Sequence, residues 1–162
     1  MGYTTDFEGS FTFNKELTTD QAEYINKFST TRHMIRDPDK IKLLYPDWES
    51  RTWNGDLGVD GEFFLDCDYD YCENNSVVDK NVPPATQPGL WCQWVISEDR
   101  MSLEWDGGEK FYNYVEWVEY LKENIFKPIG LELNGCISWQ GEDSDDTGKI
   151  NILNNEITVN YA

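Results

Sequence analysis

Leu131-Glu132-Leu133-Asn134-Gly135-Cys136-Ile137-Ser138-Trp139-Gln140, then Lys149-Ile150-Asn151-Ile152-Leu153 and Glu156-Ile157-Thr158-Val159-Asn160-Tyr161, read as three strands in succession. Only Asn154-Asn155 separates the last two runs, a pair suited to a tight hairpin turn, so a meander is the simplest topology. Upstream, Leu90–Ile96 and Met101–Trp105 flank a turn at Ser97-Glu98-Asp99-Arg100 and predict a further hairpin. In Asp6–Phe13, Phe7, Phe11 and Phe13 share one parity, which in an extended chain is one face of a sheet. Gly61–Asp66 reads as another strand.

Helix signals fall between these runs. Thr18 and Gln21 have the spacing of a capping box, and Ala22, Ile25 and Phe28 follow at helical spacing, predicting a helix to about Thr31 or as far as Arg36. Asp37-Pro38 starts a short helix through Leu44, ended by Pro46, with an irregular loop over 46–60. Glu109 to about Phe126 carries Phe111, Val115, Val118, Leu121 and Ile125 along one stripe, predicting the longest helix, stopped by Pro128 and Gly130. The class expected is α+β: an antiparallel or mixed sheet of about six strands with two main helices on one face. Residues 1–162 are expected to form a single compact domain, since neither a repeat nor a low-complexity linker divides them.

Composition narrows the function classes. Seven Trp, nine Tyr and eight Phe supply a core, which argues against disorder. No apolar run is long enough to span a bilayer and no signal peptide is evident, so a cytoplasmic protein that avoids membranes is expected. The chain has 31 acidic against 13 basic residues and a formal net charge of −18. Direct nucleic-acid binding is not expected of such a chain, because affinity for phosphates depends on Lys and Arg. Its complement is the basic surface of another protein. Cys67, Cys72, Cys92 and Cys136 lack zinc-type spacing and His33 is remote from them in sequence, so neither metal nor cofactor is expected.

Four stretches, MGYTTDFEGSF at 1–11, PPATQPGLWCQW at 83–94, EWDGGEKFYNYVEW at 104–117 and LNGCISWQGED at 133–143, resemble a family of small bacteriophage and bacterial proteins. The resemblance runs nearly end to end. It implies a phage or bacterial setting, and brings no activity, cofactor or catalytic residue with it.

Two groups of residues are candidates for binding. Acidic density is greatest at Asp60, Glu62, Asp66, Asp68, Asp70 and Glu73, and again at Glu142, Asp143, Asp145 and Asp146. Within the first group, Asp66, Asp68, Tyr69, Asp70 and Tyr71 combine charge with aromatic anchors and are the expected contacts to a basic bacterial protein. The leading expectation is therefore a non-enzymatic acidic binding protein that inhibits or sequesters a host component, such as a defence protein. The alternative is a small anionic ligand, such as a nucleotide, held by Arg32 and Arg36 with Trp91 or Trp94. The turn Asp106-Gly107-Gly108-Glu109 would supply backbone amides at a helix start. An enzyme of undetermined reaction is the third reading. The carboxylates are abundant, but no catalytic constellation is assembled by spacing, and His33 is expected to be structural.

Overall fold

The capping box forms as written. The Gln21 amide donates to Thr18 Oγ1 at 3.1 Å, and the Thr18 amide donates to Gln21 Oε1 at 2.9 Å. In the computed structural model, which describes residues 2–65 and 74–161, the elements in chain order are as follows. β1 (Asp6–Phe13) leads to α1 (Thr19–Phe28), β2 (Ile35–Arg36) and α2 (Pro38–Leu44). Next come β3 (Val77–Asp79), β4 (Trp94–Ile96), β5 (Ser102–Trp105) and α3 (Tyr114–Leu121). β6 (Leu133–Gln140), β7 (Thr147–Leu153) and β8 (Glu156–Tyr161) follow. The chain divides into two units, one of Met1–Asn26 with Gln93–Ala162 and one of Lys27–Cys92.

The first unit holds a six-stranded sheet in the order β4-β5-β1-β6-β7-β8, with every pairing antiparallel. Alternation decides its two faces. Phe7, Phe11 and Phe13 of β1 are buried, as are Leu133, Ile137 and Trp139 of β6 and Ile150 and Ile152 of β7. Their neighbours Glu8, Thr12, Cys136 and Lys149 are exposed. One face is thus packed and the other wet, the usual arrangement for an antiparallel sheet. α3 closes the packed face: Trp117, Val118 and Leu121 are fully buried, and Phe126, in the π-helical turn Lys122–Phe126 that extends α3, meets Phe13 at 4.9 Å. The Asn26 side chain of α1 accepts from the Ile96 amide at 2.8 Å.

Glycine makes the central pairing possible. Gly135 (φ +141) stands opposite Phe11, where a Cβ would lie 2.6 Å from the Ser10 carbonyl oxygen. No L side chain fits there without moving β1. At the other end of the meander, Asn154 and Asn155 both take left-handed backbone, φ 50 and 69, which is the two-residue hairpin turn expected of that pair.

Over its described residues, the second unit has little regular structure. β2 and β3 form a two-stranded antiparallel sheet, and α2 is capped by the Asp37 side chain, which accepts from the Asp39 amide at 3.0 Å. Ile41, Leu57 and Phe64 make a small core under Tyr45 and Trp48. The expected strand at Gly61–Asp66 is not formed over its described part. Val59–Gly61 is a 3-10 turn with Asp60 and Gly61 at positive φ, and Phe63, Phe64 and Leu65 are buried from turns and irregular chain.

The predicted helix over Glu109–Phe126 also starts later than expected. Lys110 and Asn113 have φ of 59 and 58, values no right-handed helix admits, so α3 begins at Tyr114 and Phe111 is buried as a loop residue. Similarly, α1 stops at Phe28. Among the described residues, no helix is long and apolar enough to cross a membrane.

Candidate functional site: an acidic, aromatic recess

One row across the sheet builds the candidate site. β6 places Trp139 opposite Gly148 of β7, and Gly148 stands opposite Tyr161 of β8. Gly148 is required by its neighbours. A Cβ built there would collide with the outer ring atoms of Trp139, so the indole lies over the glycine and reaches Tyr161, at 5.5 Å between ring centroids and 77° between planes. Tyr114, the first residue of α3, meets Trp139 at 5.6 Å and Phe7 at 5.0 Å. Between these rings and the first turn of α3 lies a recess of about 210 Å³ lined by Asn113, Tyr114, Val115, Glu116, Trp139 and Tyr161. Drug-sized pockets run to roughly 300–1,000 Å³, so this one suits a single side chain or a headgroup of similar size.

Its geometry is held from behind by Asp146. The Trp139 indole N–H donates to Asp146 Oδ1 at 3.0 Å and the Tyr3 hydroxyl donates to Oδ2 at 2.8 Å. The Tyr3 hydroxyl in turn accepts from the Asp143 amide at 3.0 Å. Part of the Glu142–Asp146 acidic run is therefore structural, fixing the indole. Trp139 is 3% exposed and forms the floor, whereas Tyr161 is 78% exposed and forms an outer wall.

The recess carries negative potential. Burial, followed by the charges of Asp146, Tyr161 and Glu116, pushes the Tyr114 phenol up to about 12. The first-turn amides of α3 carry partial positive charge, but Glu116 lies within that same turn and opposes it with a full charge. Aromatic faces next to carboxylates favour a cation, an ammonium or a guanidinium, because ring quadrupole and charge attract it together.

The residues expected from sequence are distributed otherwise. Asp66, Asp68, Tyr69, Asp70 and Tyr71 lie outside the described residues. Asp60 and Glu62 are used locally, Asp60 Oδ2 accepting from the Ala85 amide at 3.1 Å and Glu62 Oε2 from the Val59 amide at 2.8 Å. Arg32 and Arg36 do not share a helical face. Arg36, in β2, is buried, donates to Ser76 Oγ at 2.7 Å and lies 5.4 Å from the Phe64 ring. Arg32 donates to the Lys80 carbonyl at 2.9 Å and to Asn81 Oδ1 at 3.2 Å, with its guanidinium 6.0 Å from the Trp91 ring.

Trp94 is fully buried in the first unit, its indole donating to the Tyr114 carbonyl at 2.9 Å. The Asp106–Glu109 turn does not begin a helix. Asp106 Oδ1 accepts from the Gly108 amide at 2.7 Å, closing the turn on itself, and Gln93 latches it by donating to the Glu109 carbonyl at 2.7 Å. Partial burial raises the Asp106 carboxyl above its usual range. His33 is buried, its Nε2–H donating to the Phe28 carbonyl at 2.9 Å. Among the described residues, no cluster of His, Cys, Asp and Glu is placed to hold a metal.

No protein-family model, curated protein or solved structure matches the chain.

Proposed function

We propose that this is a non-enzymatic acidic binding protein, encoded by a phage and acting in the bacterial cytosol, which inhibits or sequesters a host protein through that protein's basic surface. The observation that carries the reading is the recess: Tyr114 and Tyr161 over Trp139, with Glu116 in the lining and Asp146 behind. A net charge of −18 supplies long-range attraction, and the recess supplies a seat for one Arg or Lys of the partner. Asp66, Asp68, Tyr69, Asp70 and Tyr71 are proposed as further contacts of the same kind.

Titration with a short oligo-arginine peptide tests the reading, first at low salt and then with salt raised several-fold. Affinity should fall steeply as salt rises. Tyr161→Ala should weaken binding by roughly 5- to 30-fold, the worth of a partly desolvated cation–π contact of about 1–2 kcal/mol. Binding indifferent both to salt and to Tyr161→Ala would overturn it.

A further inference from the structure

The recess opens at the end of a sheet edge whose hydrogen-bonding groups can be assigned from the register. Leu153 and Glu156 are paired across the Asn154-Asn155 turn, and residues flanking a two-residue hairpin loop exchange both backbone bonds. Counting along β8, Glu156, Thr158 and Asn160 point their amides and carbonyls at β7, while Ile157, Val159 and Tyr161 point theirs away. Among the described residues, no strand takes the groups on that outer side. Natural edge strands are commonly blunted by proline, bulges or lysine. β8 has none of these: its pairing with β7 is uninterrupted and Glu156 is its only charged residue.

Side chains complete the picture. Ile157 and Val159 are half-buried and share the face of Tyr161, next to the recess. A strand laid along the outer side of β8 would set alternate side chains against Ile157, Val159 and Tyr161 in turn. The first two positions favour apolar side chains. The third reaches the acidic, aromatic recess and favours a cation. A second copy of this chain is a poor occupant, since each copy carries −18 and like charges suppress the pairing.

We infer that β8 is a docking edge at which an extended segment of the partner, apolar and basic at alternate positions, pairs as an added strand and seats an Arg or Lys in the recess. This deepens the binding-protein reading and rests on it.

The test uses a capped peptide of sequence Arg-Thr-Val-Thr-Val-Thr-Arg, which offers the pattern in either chain direction, and the same peptide N-methylated at every backbone amide, since the valine amides would face β8 in antiparallel addition and the threonine amides in parallel addition. The methylated form keeps charge and side chains but loses the amides that would pair with β8. The unmodified peptide should bind at least tenfold more tightly and slow hydrogen exchange at the amides of Ile157, Val159 and Tyr161 by a similar factor. Equal affinity of the two peptides, without slowed exchange, overturns strand addition and leaves the acidic-recess reading standing. No binding of either peptide, or of oligo-arginine, at low salt overturns both. Slowed exchange at these three amides that appears with protein concentration alone would make a second copy the occupant and overturn the partner assignment.

Discussion

His33, the only histidine in the chain, should make the protein selectively sensitive to mild acid. Its ring is buried against Phe28, at 4.1 Å between centroids, and burial lowers its pKa from 6.5 to about 4, the bond to the Phe28 carbonyl opposing only part of that shift. The unfolded chain therefore binds a proton at a pH where the folded chain does not. Stability from this group is complete above about pH 6.5 and is lost as pH falls towards 4. At about 1.4 kcal/mol per pKa unit the full loss is roughly 3 kcal/mol, of which about 2 kcal/mol is gone by pH 5.

Carboxylates titrate nearby, and in a chain of charge −18 their protonation relieves self-repulsion, so the difference from a non-titrating variant is the informative quantity. His33→Gln keeps a donor for the Phe28 carbonyl and removes the titration. Urea unfolding at pH 7.5 should find the variant less stable, and by pH 5 the gap should have narrowed by about 2 kcal/mol, as the same linkage gives. A direct check is the NMR titration of the one imidazole. A gap that stays constant with pH, with an ordinary imidazole titration, would refute the reasoning.

Other predictions concern the recess and its frame. Gly148→Val should push Trp139 off the sheet, destabilise by roughly 1–3 kcal/mol as overpacking does, and weaken binding of basic peptides; an unchanged urea midpoint would show that the indole has another resting place. Asp146→Asn removes a charge that raises the Tyr114 phenol, so an absorbance titration should find that tyrosine ionising at lower pH than about 12, and an unmoved transition would contradict the negative recess. Asn155→Ala costs a side-chain bond to the Leu133 amide of 2.7 Å and leaves alanine at φ 69. A loss of about 1–3 kcal/mol in urea unfolding is expected for such an orphaned group, and a neutral result would count against the turn.

What was legible in the sequence was what is local. The Thr18–Gln21 box, the Asp37-Pro38 start and the Asn154-Asn155 turn each depend on a few adjacent residues, and each formed as expected. The late start of α3 was obscured because Phe111 continues the apolar spacing of the helix while being buried from a loop. Two positive-φ residues, Lys110 and Asn113, break the helix there, and of these only asparagine leans towards that conformation by type. Phe63, Phe64 and Leu65 imitate a buried strand because a short apolar run in the sequence does not distinguish a strand from packed turns. The recess had no local signature. Trp139 and Tyr161 meet through strand register and Tyr114 joins them from α3, while Gly148, which makes room for the indole, lay just outside the strand expected at Lys149–Leu153.

The most direct test of the proposed role is native mass spectrometry of the protein drawn gently from bacterial lysate, at low salt and then with salt raised. An acidic protein whose recess and open edge receive a basic partner should carry a protein-sized adduct that dissociates as salt rises. A bare chain at low salt, or a retained adduct of only small-molecule size that salt does not displace, would contradict it.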